Sequence, residues 1–207
     1  MSKRRKKKGI IAIVAILIIA CLILYLILFH FGSDSSKVVD EVEKYGYTLD
    51  NRDTELMKEI FNNLKTELSN SKINYEKYAE QLSKYFIVDL YTIDNKLNKY
   101  DVGGSDCIHP DHVTNYQLKV SDTLYRYLEE SSSRKTKMPE VSKINVDDIT
   151  SDSYKYGENE YDAYKVNLSW EYKEELGYDD SGIVTLMKIE DKLYVAEYTT
   201  EVSQWKE

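Results

Sequence analysis

Two cysteines serve the whole chain, Cys21 and Cys107, and they fall in different regions. No disulfide closes within residues 32–207, so the fold there must be held by packing. Acidic charge is missing altogether before Asp34. Six of the 28 basic side chains precede that point, leaving 22 against 36 acidic ones and a net of −14 for residues 32–207. A region so short of positive charge repels phosphate backbones, which excludes nucleic acid as its partner. Its 176 residues suffice for one domain of ordinary size, and no internal repeat divides them.

Charge of either sign is also absent from Gly9 to Phe31, an apolar run interrupted only by His30 near its end. As a helix it spans about 34 Å, enough for a bilayer's hydrocarbon core. Lys3, Arg4, Arg5, Lys6, Lys7 and Lys8 precede it. They predict an N-terminus held in the cytoplasm at the cell membrane and a C-terminal domain outside. The expected organisation is a basic cytoplasmic tail over 1–8 and a transmembrane helix over 9–31. A linker and lead-in segment over 32–53 and an extracytoplasmic domain over 54–207 follow. The lipid bilayer is then one partner. A cleaved signal peptide has a shorter apolar core, and Phe29-His30-Phe31 is a poor cleavage site. Ile18-Ile19-Ala20-Cys21 resembles a lipobox, so a lipoprotein anchored at Cys21 is the alternative. Leu22 to Phe29 would then form an apolar extension where a polar tether is usual.

What the sequence has in plenty is tyrosine, 19 residues, accompanied by many Lys, Asn, Asp and Ile. An AT-rich genome explains that bias without a tyrosine-based function. Tyrosine still fills a core where its hydroxyl finds a partner. Val38 to Leu49 reads both ways, with Val38, Val39 and Val42 at helical spacing and Tyr45-Gly46-Tyr47 as a turn or short strand. The first helix is predicted over Thr54–Ser69, where Leu56, Met57, Ile60, Phe61, Leu64 and Leu68 share one face and Asp53 caps. A second runs from Tyr75, capped by Asn74, with Tyr78, Ala79, Leu82, Phe86, Leu90, Ile93 and Leu97 along its apolar face. The β-prone Phe86-Ile87-Val88 marks a place to kink, and Asp101-Val102-Gly103-Gly104 stops the helix. The third is predicted over His112–Glu129 with Asp111 as cap, followed by a polar hinge to Pro139.

Beyond Pro139 the hydrophobic period changes to two. Ile144 and Val146 open a short strand, and Tyr164, Val166, Leu168, Trp170 and Tyr172 alternate with polar neighbours. Ile183–Ile189 and Leu193–Val202 add two more strands around Glu190-Asp191-Lys192. The fold class is therefore α+β. After the N-terminal transmembrane helix, three helices pack on a curved antiparallel sheet of at least four strands.

Thr54–Val202 resembles a nuclear-transport-factor-2-like domain, the cone-shaped cystatin-like α+β fold. The resemblance is carried by the long helix through Phe86-Ile87-Val88-Asp89-Leu90-Tyr91, by the Asp101–Gly104 reversal, by Thr123-Leu124-Tyr125 and by the closing hairpin Val184–Val195. The same features are similar to those of single-pass proteins of low-GC Gram-positive bacteria. The layout also resembles bitopic scaffold subunits of type IV secretion and conjugation machines. The resemblance implies a pocket inside the cone, often holding an acid. Asp89, near the apolar face of its helix, is the candidate catalytic base there, and a structural hydrogen bond to a tyrosine hydroxyl is its plain alternative.

Asp106-Cys107-Ile108-His109-Pro110-Asp111-His112 holds two of the three histidines. Cys107, His109 and His112 are candidate zinc ligands, with Asp106 or Asp111 as a fourth, but the rigid Pro110 makes them hard to aim at one ion. A Cys107–His109 nucleophile pair lacks an orienting acid. The plain alternative is a polar loop leading into a helix cap. The acidic loops Asp147-Asp148, Glu158–Asp162 and Glu174–Asp180 follow no EF-hand pattern and read as solvated turns rather than calcium sites. Arg134, Lys135 and Lys137 are a candidate partner contact within the acidic region.

No cofactor is expected. The leading expectation is a non-enzymatic, membrane-anchored interaction or scaffold domain that binds other envelope proteins in a secretion, conjugation or envelope assembly, with oligomer formation open. The rival is a small-ligand-binding or catalytic domain that uses the pocket of the cone.

Overall fold

The computed structural model describes residues 35–200 together with Ile19 and Cys21. The chain divides into two compact units, Met1–Ser35 and Ser36–Glu207, and every element below belongs to the second. The basic residues Lys3 to Lys8 and the expected span over 9–31, apart from Ile19 and Cys21, lie outside the described residues. Among the described residues no helix is long and apolar enough to cross a membrane. The longest has 17 residues and carries Glu76, Lys77, Glu80, Lys84 and Asp89. The expected N-terminal transmembrane helix and the single-pass placement at the cell membrane are corrected on that finding.

Among the described residues the class is α+β, with three helices and six strands. The expectation of one sheet is corrected as well, because the strands form two sheets. Strands β1 (Val38–Val42) and β2 (Tyr47–Asp50) pair antiparallel as a hairpin from the lead-in segment. Gly46, at φ 69°, supplies the left-handed turn residue. Tyr47 and Leu49 alternate with half-exposed Thr48 and Asp50, so one face of β2 enters the core.

Helix α1 (Glu55–Leu68) is capped by Thr54, whose hydroxyl accepts from Met57 N at 3.2 Å. Asp53, the expected cap, turns inward and accepts from Asp50 N and Asn95 Nδ2. Asn74 caps α2 (Tyr75–Tyr91) as expected. Helix α2 is buried on nearly every side, including Tyr78, Leu82, Tyr85, Phe86, Ile87 and Val88. It contacts all four strands of the larger sheet and also packs against α1, so it forms the middle layer. It stops at Tyr91, well before the glycines. The amides of Ile93 and Asp94 both donate to Pro139 O, and the Arg134 guanidinium donates to the carbonyls of Ile93, Asp94, Lys96 and Leu97. Tertiary partners thus claim the backbone groups that another helical turn would use.

A short 3₁₀ turn (Ser105–Cys107) leads to α3 (Pro110–Asp122), capped by His109, whose ring accepts from Asp111 N at 3.3 Å. Helix α3 ends seven residues before the expected Glu129, because Thr123 adopts φ −121° and ψ −88°. That departure lets Tyr125 enter the core and donate to Leu90 O at 2.7 Å.

Strands β3 (Val141–Tyr156), β4 (Asn159–Tyr172), β5 (Ser181–Ile189) and β6 (Lys192–Thr200) form an antiparallel meander in chain order. The β3–β4 hairpin is longer than its neighbours. β5 pairs β4 only from Ala163 to Ser169, so the hairpin tip around Tyr154–Tyr161 extends beyond the four-stranded part. In β6 the pairing passes from Val195 opposite Leu186 to Glu197 opposite Thr185, which leaves Ala196 as the extra residue of a bulge.

Candidate functional site

An open cleft of about 760 Å³ lies among α2, α3 and the sheet. Its floor is apolar: Phe86, Leu90 and Tyr91 from α2, Ile108 before α3, and Met187 and Val195 from the sheet. Tyr116, Val120 and Leu124 form the α3 side, with His112, Asn115 and Lys119 nearer its rim. Tyr154 and Tyr156 arrive from the β3–β4 tip, and Asp179 from the loop before β5. Floor and rim together make an amphipathic site of the size that holds a small organic ligand.

Two local devices open it. Strict alternation on β6 gives each face every second side chain, yet Val195, Ala196, Glu197 and Tyr198 all line the cleft. The bulge at Ala196 turns the strand there and permits consecutive residues to face the same space. Gly103 and Gly104 set the distance between α3 and α2. A Cβ on Gly103 would stand 2.1 Å from Asp89 O, and one on Gly104 would stand 2.7 Å from the Phe86 ring. Gly104 is also left-handed at φ 73°. Tyr116 then donates to Gly103 O at 2.7 Å and packs on Phe86 with ring centroids 6.1 Å apart.

At one side of the cleft Tyr198 Oη donates to Tyr91 Oη at 2.9 Å, and Tyr91 Oη donates to Asp179 Oδ2 at 3.2 Å. Trp170 and Tyr172 pack around Tyr91, at centroid distances of 5.1 and 6.5 Å. Trp170 Nε1 donates to Tyr172 Oη, which donates to Asp179 O at 2.6 Å. Burial pushes the hydroxyls of Tyr91, Tyr116 and Tyr198 further from ionisation, so they act as neutral donors. At the opposite side His112 Nε2 and Tyr156 Oη lie 2.9 Å apart, and the His109 ring meets Tyr194 edge-on at 5.1 Å. The first contact ties the hairpin tip to α3, and the second ties the α3 cap to β6.

The residues singled out in the sequence fall into different places. Asp89 does not line the cleft. Its carboxylate accepts from Lys96 Nζ at 2.5 Å and from Gly104 N at 2.6 Å, a position that holds the loop after α2. Cys107 is buried in the core, where burial, with Asp106 beside it, pushes its thiol far above the usual range. His109 caps α3, and His112 reaches the hairpin tip. Among the described residues no three His, Cys, Asp or Glu side chains gather to hold a metal ion. Arg134 is consumed by backbone carbonyls and Lys137 pairs with Glu174, which leaves Lys135 exposed between them.

Asp179, Tyr91, Tyr198 and Ala196 did not stand out in the sequence. Asp179 belongs to the loop Glu174–Asp180, which reads as a solvated acidic turn. The tyrosines belong to a general abundance that gives none of them distinction. The β6 alternation gives no sign of the extra residue at Ala196, where the register shifts between Thr185 and Leu186.

No family model matches this chain, and no curated protein or solved structure matches it either.

Proposed function

We propose that the α+β unit is a non-enzymatic ligand-binding domain that takes a small amphipathic molecule into the cleft beside α3. The observation that carries this reading is the cleft itself, with its continuous apolar floor and polar rim. It favours the pocket-based expectation over the scaffold expectation. Binding is favoured over catalysis by the state of the nearby groups. The tyrosine hydroxyls are neutral, and the buried Cys107 thiol is not a nucleophile at neutral pH. Asp89 is committed to Lys96 and Gly104.

The cleft also has the mechanical properties a binding site needs. Half of its floor comes from α2, the most buried of the described helices, so it is preorganised. Its α3 wall is mostly exposed and is tied to the β3–β4 tip through His112 and Tyr156. A ligand can therefore enter the open cleft along its exposed α3 side without opening the core.

Native mass spectrometry of the purified protein, set beside Ala196→Trp, tests the proposal. Indole at position 196 fills the cleft from the bulge. A bound small molecule on the parent protein and its loss from the folded variant are expected. Equal occupancy of both proteins by the same molecule would contradict the site.

A further inference from the structure

We infer that the ligand carries a cation at the Asp179 side of the cleft, so that its chemical class is a hydrophobic amine or quaternary ammonium. This inference rests on the cleft being a ligand site and adds the charge of the ligand.

Asp179 lines the cleft, its carboxylate bonded to the Tyr91 hydroxyl that lines it too, and among the described residues no Lys, Arg or His forms an ion pair with it. Among the described residues its only side-chain donor is the neutral Tyr91 hydroxyl at 3.2 Å. Tyr198 donates to Tyr91 in turn, so both hydroxyl hydrogens are used within the chain of bonds that ends on the carboxylate. The negative end of that chain is left for the ligand. The Asp179 backbone is also held, because Tyr172 Oη donates to Asp179 O while Trp170 Nε1 donates to Tyr172.

The surroundings are aromatic. Tyr91 and Tyr198 line the cleft beside Asp179, their centroids 6.2 Å apart and their planes at 72°. Rings at such angles present a face and an edge to the same space. A carboxylate next to aromatic faces is the combination that attracts ammonium groups: the ring quadrupoles favour the cation, and the carboxylate neutralises it. The −14 net charge of residues 32–207 adds a general field that draws cations in and holds anions off. The apolar floor then accommodates the hydrocarbon part, at about 0.8 kcal/mol per buried methylene. Among the described residues Lys119 on the α3 side is the one cation lining the cleft, and an anionic amphiphile would be the ligand if it governed the choice.

Calorimetric titration with three probes of equal chain length separates these outcomes: decyltrimethylammonium, decanoate and 1-decanol, each below its aggregation limit. The expected order places the cation at least tenfold tighter than the alcohol and the alcohol above decanoate. Asp179→Asn should remove that tenfold advantage while leaving decanol affinity in place, which also shows that the variant cleft is intact. Decanoate equal to or tighter than the cation, or an Asp179→Asn variant that keeps the cation's advantage, overturns the inference and leaves the cleft as a site. If none of the three binds, or all three bind equally to Ala196→Trp, the cleft reading itself is overturned.

Discussion

Lys96 Nζ stands 2.5 Å from Asp89 Oδ1, with both side chains largely withdrawn from solvent. Burial works against the ammonium, yet the Asp89 charge and hydrogen bond hold it well above the usual lysine range. The pair fastens the loop that follows α2 to the helix, and Asp89 also receives Gly104 N from the approach to α3. A buried pair is costly to break because the surviving charge is left alone. Asp89→Asn is therefore expected to lower stability by about 3–5 kcal/mol in urea unfolding. Ligand affinity per folded molecule should stay unchanged, since Asp89 lies outside the cleft. A loss of binding in folded protein would return Asp89 to the site.

Asp53 supplies a pH dependence. Burial, reinforced by the charge of Asp89, raises its carboxyl from 3.8 to about 6. The native state therefore holds a proton on Asp53 that the unfolded chain releases near pH 4. Native stabilisation is complete below that point and declines as pH rises to about 6. The shift corresponds to about 3 kcal/mol at most. Asp53→Asn, which mimics the protonated acid, should flatten this decline when the two proteins are compared by urea unfolding between pH 4 and pH 7. Parallel curves would show that Asp53 does not contribute.

Gly103 allows the backbone after the loop to touch α2. A Cβ there meets Asp89 O at 2.1 Å and Asp89 C at 2.5 Å, and both are backbone atoms. Neither yields as a side chain does. Gly103→Ala is expected to cost about 3 kcal/mol by thermal or urea unfolding. A variant as stable as the parent would show that α3 and its lead-in are not held at this spacing.

His112 and Tyr156 join α3 to a hairpin tip that has no third strand beside it. Tyr156→Phe should raise hydrogen exchange in the tip, about residues 151–162, several-fold. Global stability should fall by less than about 1 kcal/mol, as is usual for one exposed hydrogen bond. Unchanged exchange in the tip would remove the tie from the description of the cleft.

The legible parts of the fold were those fixed by local chemistry. Asn74 and the periodic residues of α1 and α2 mark helices because capping and one-sided burial act within a few residues. The alternation through Tyr164–Tyr172 marks β4 for the same reason. The ends of α2 and α3 were not legible. Arg134 and Pro139 decide the first from more than forty positions away in sequence, and burial of Tyr125 decides the second. The β1–β2 hairpin was only half visible, since Val38 and Val39 fit a helix as well as an exposed strand. The cleft was least visible. It depends on the bulge at Ala196 and on Asp179, whose neighbours in space come from α2, β4 and β6.

The central claim is that the space beside α3 receives a ligand. It is tested most directly by amide and side-chain chemical-shift mapping during titration with decyltrimethylammonium. The account predicts saturable shifts concentrated at Leu90, Tyr116, Asp179, Ala196 and Tyr198, absent from Ala196→Trp at the same concentrations. Shifts that do not saturate, or that cluster on the exposed face of β3 instead, would contradict it.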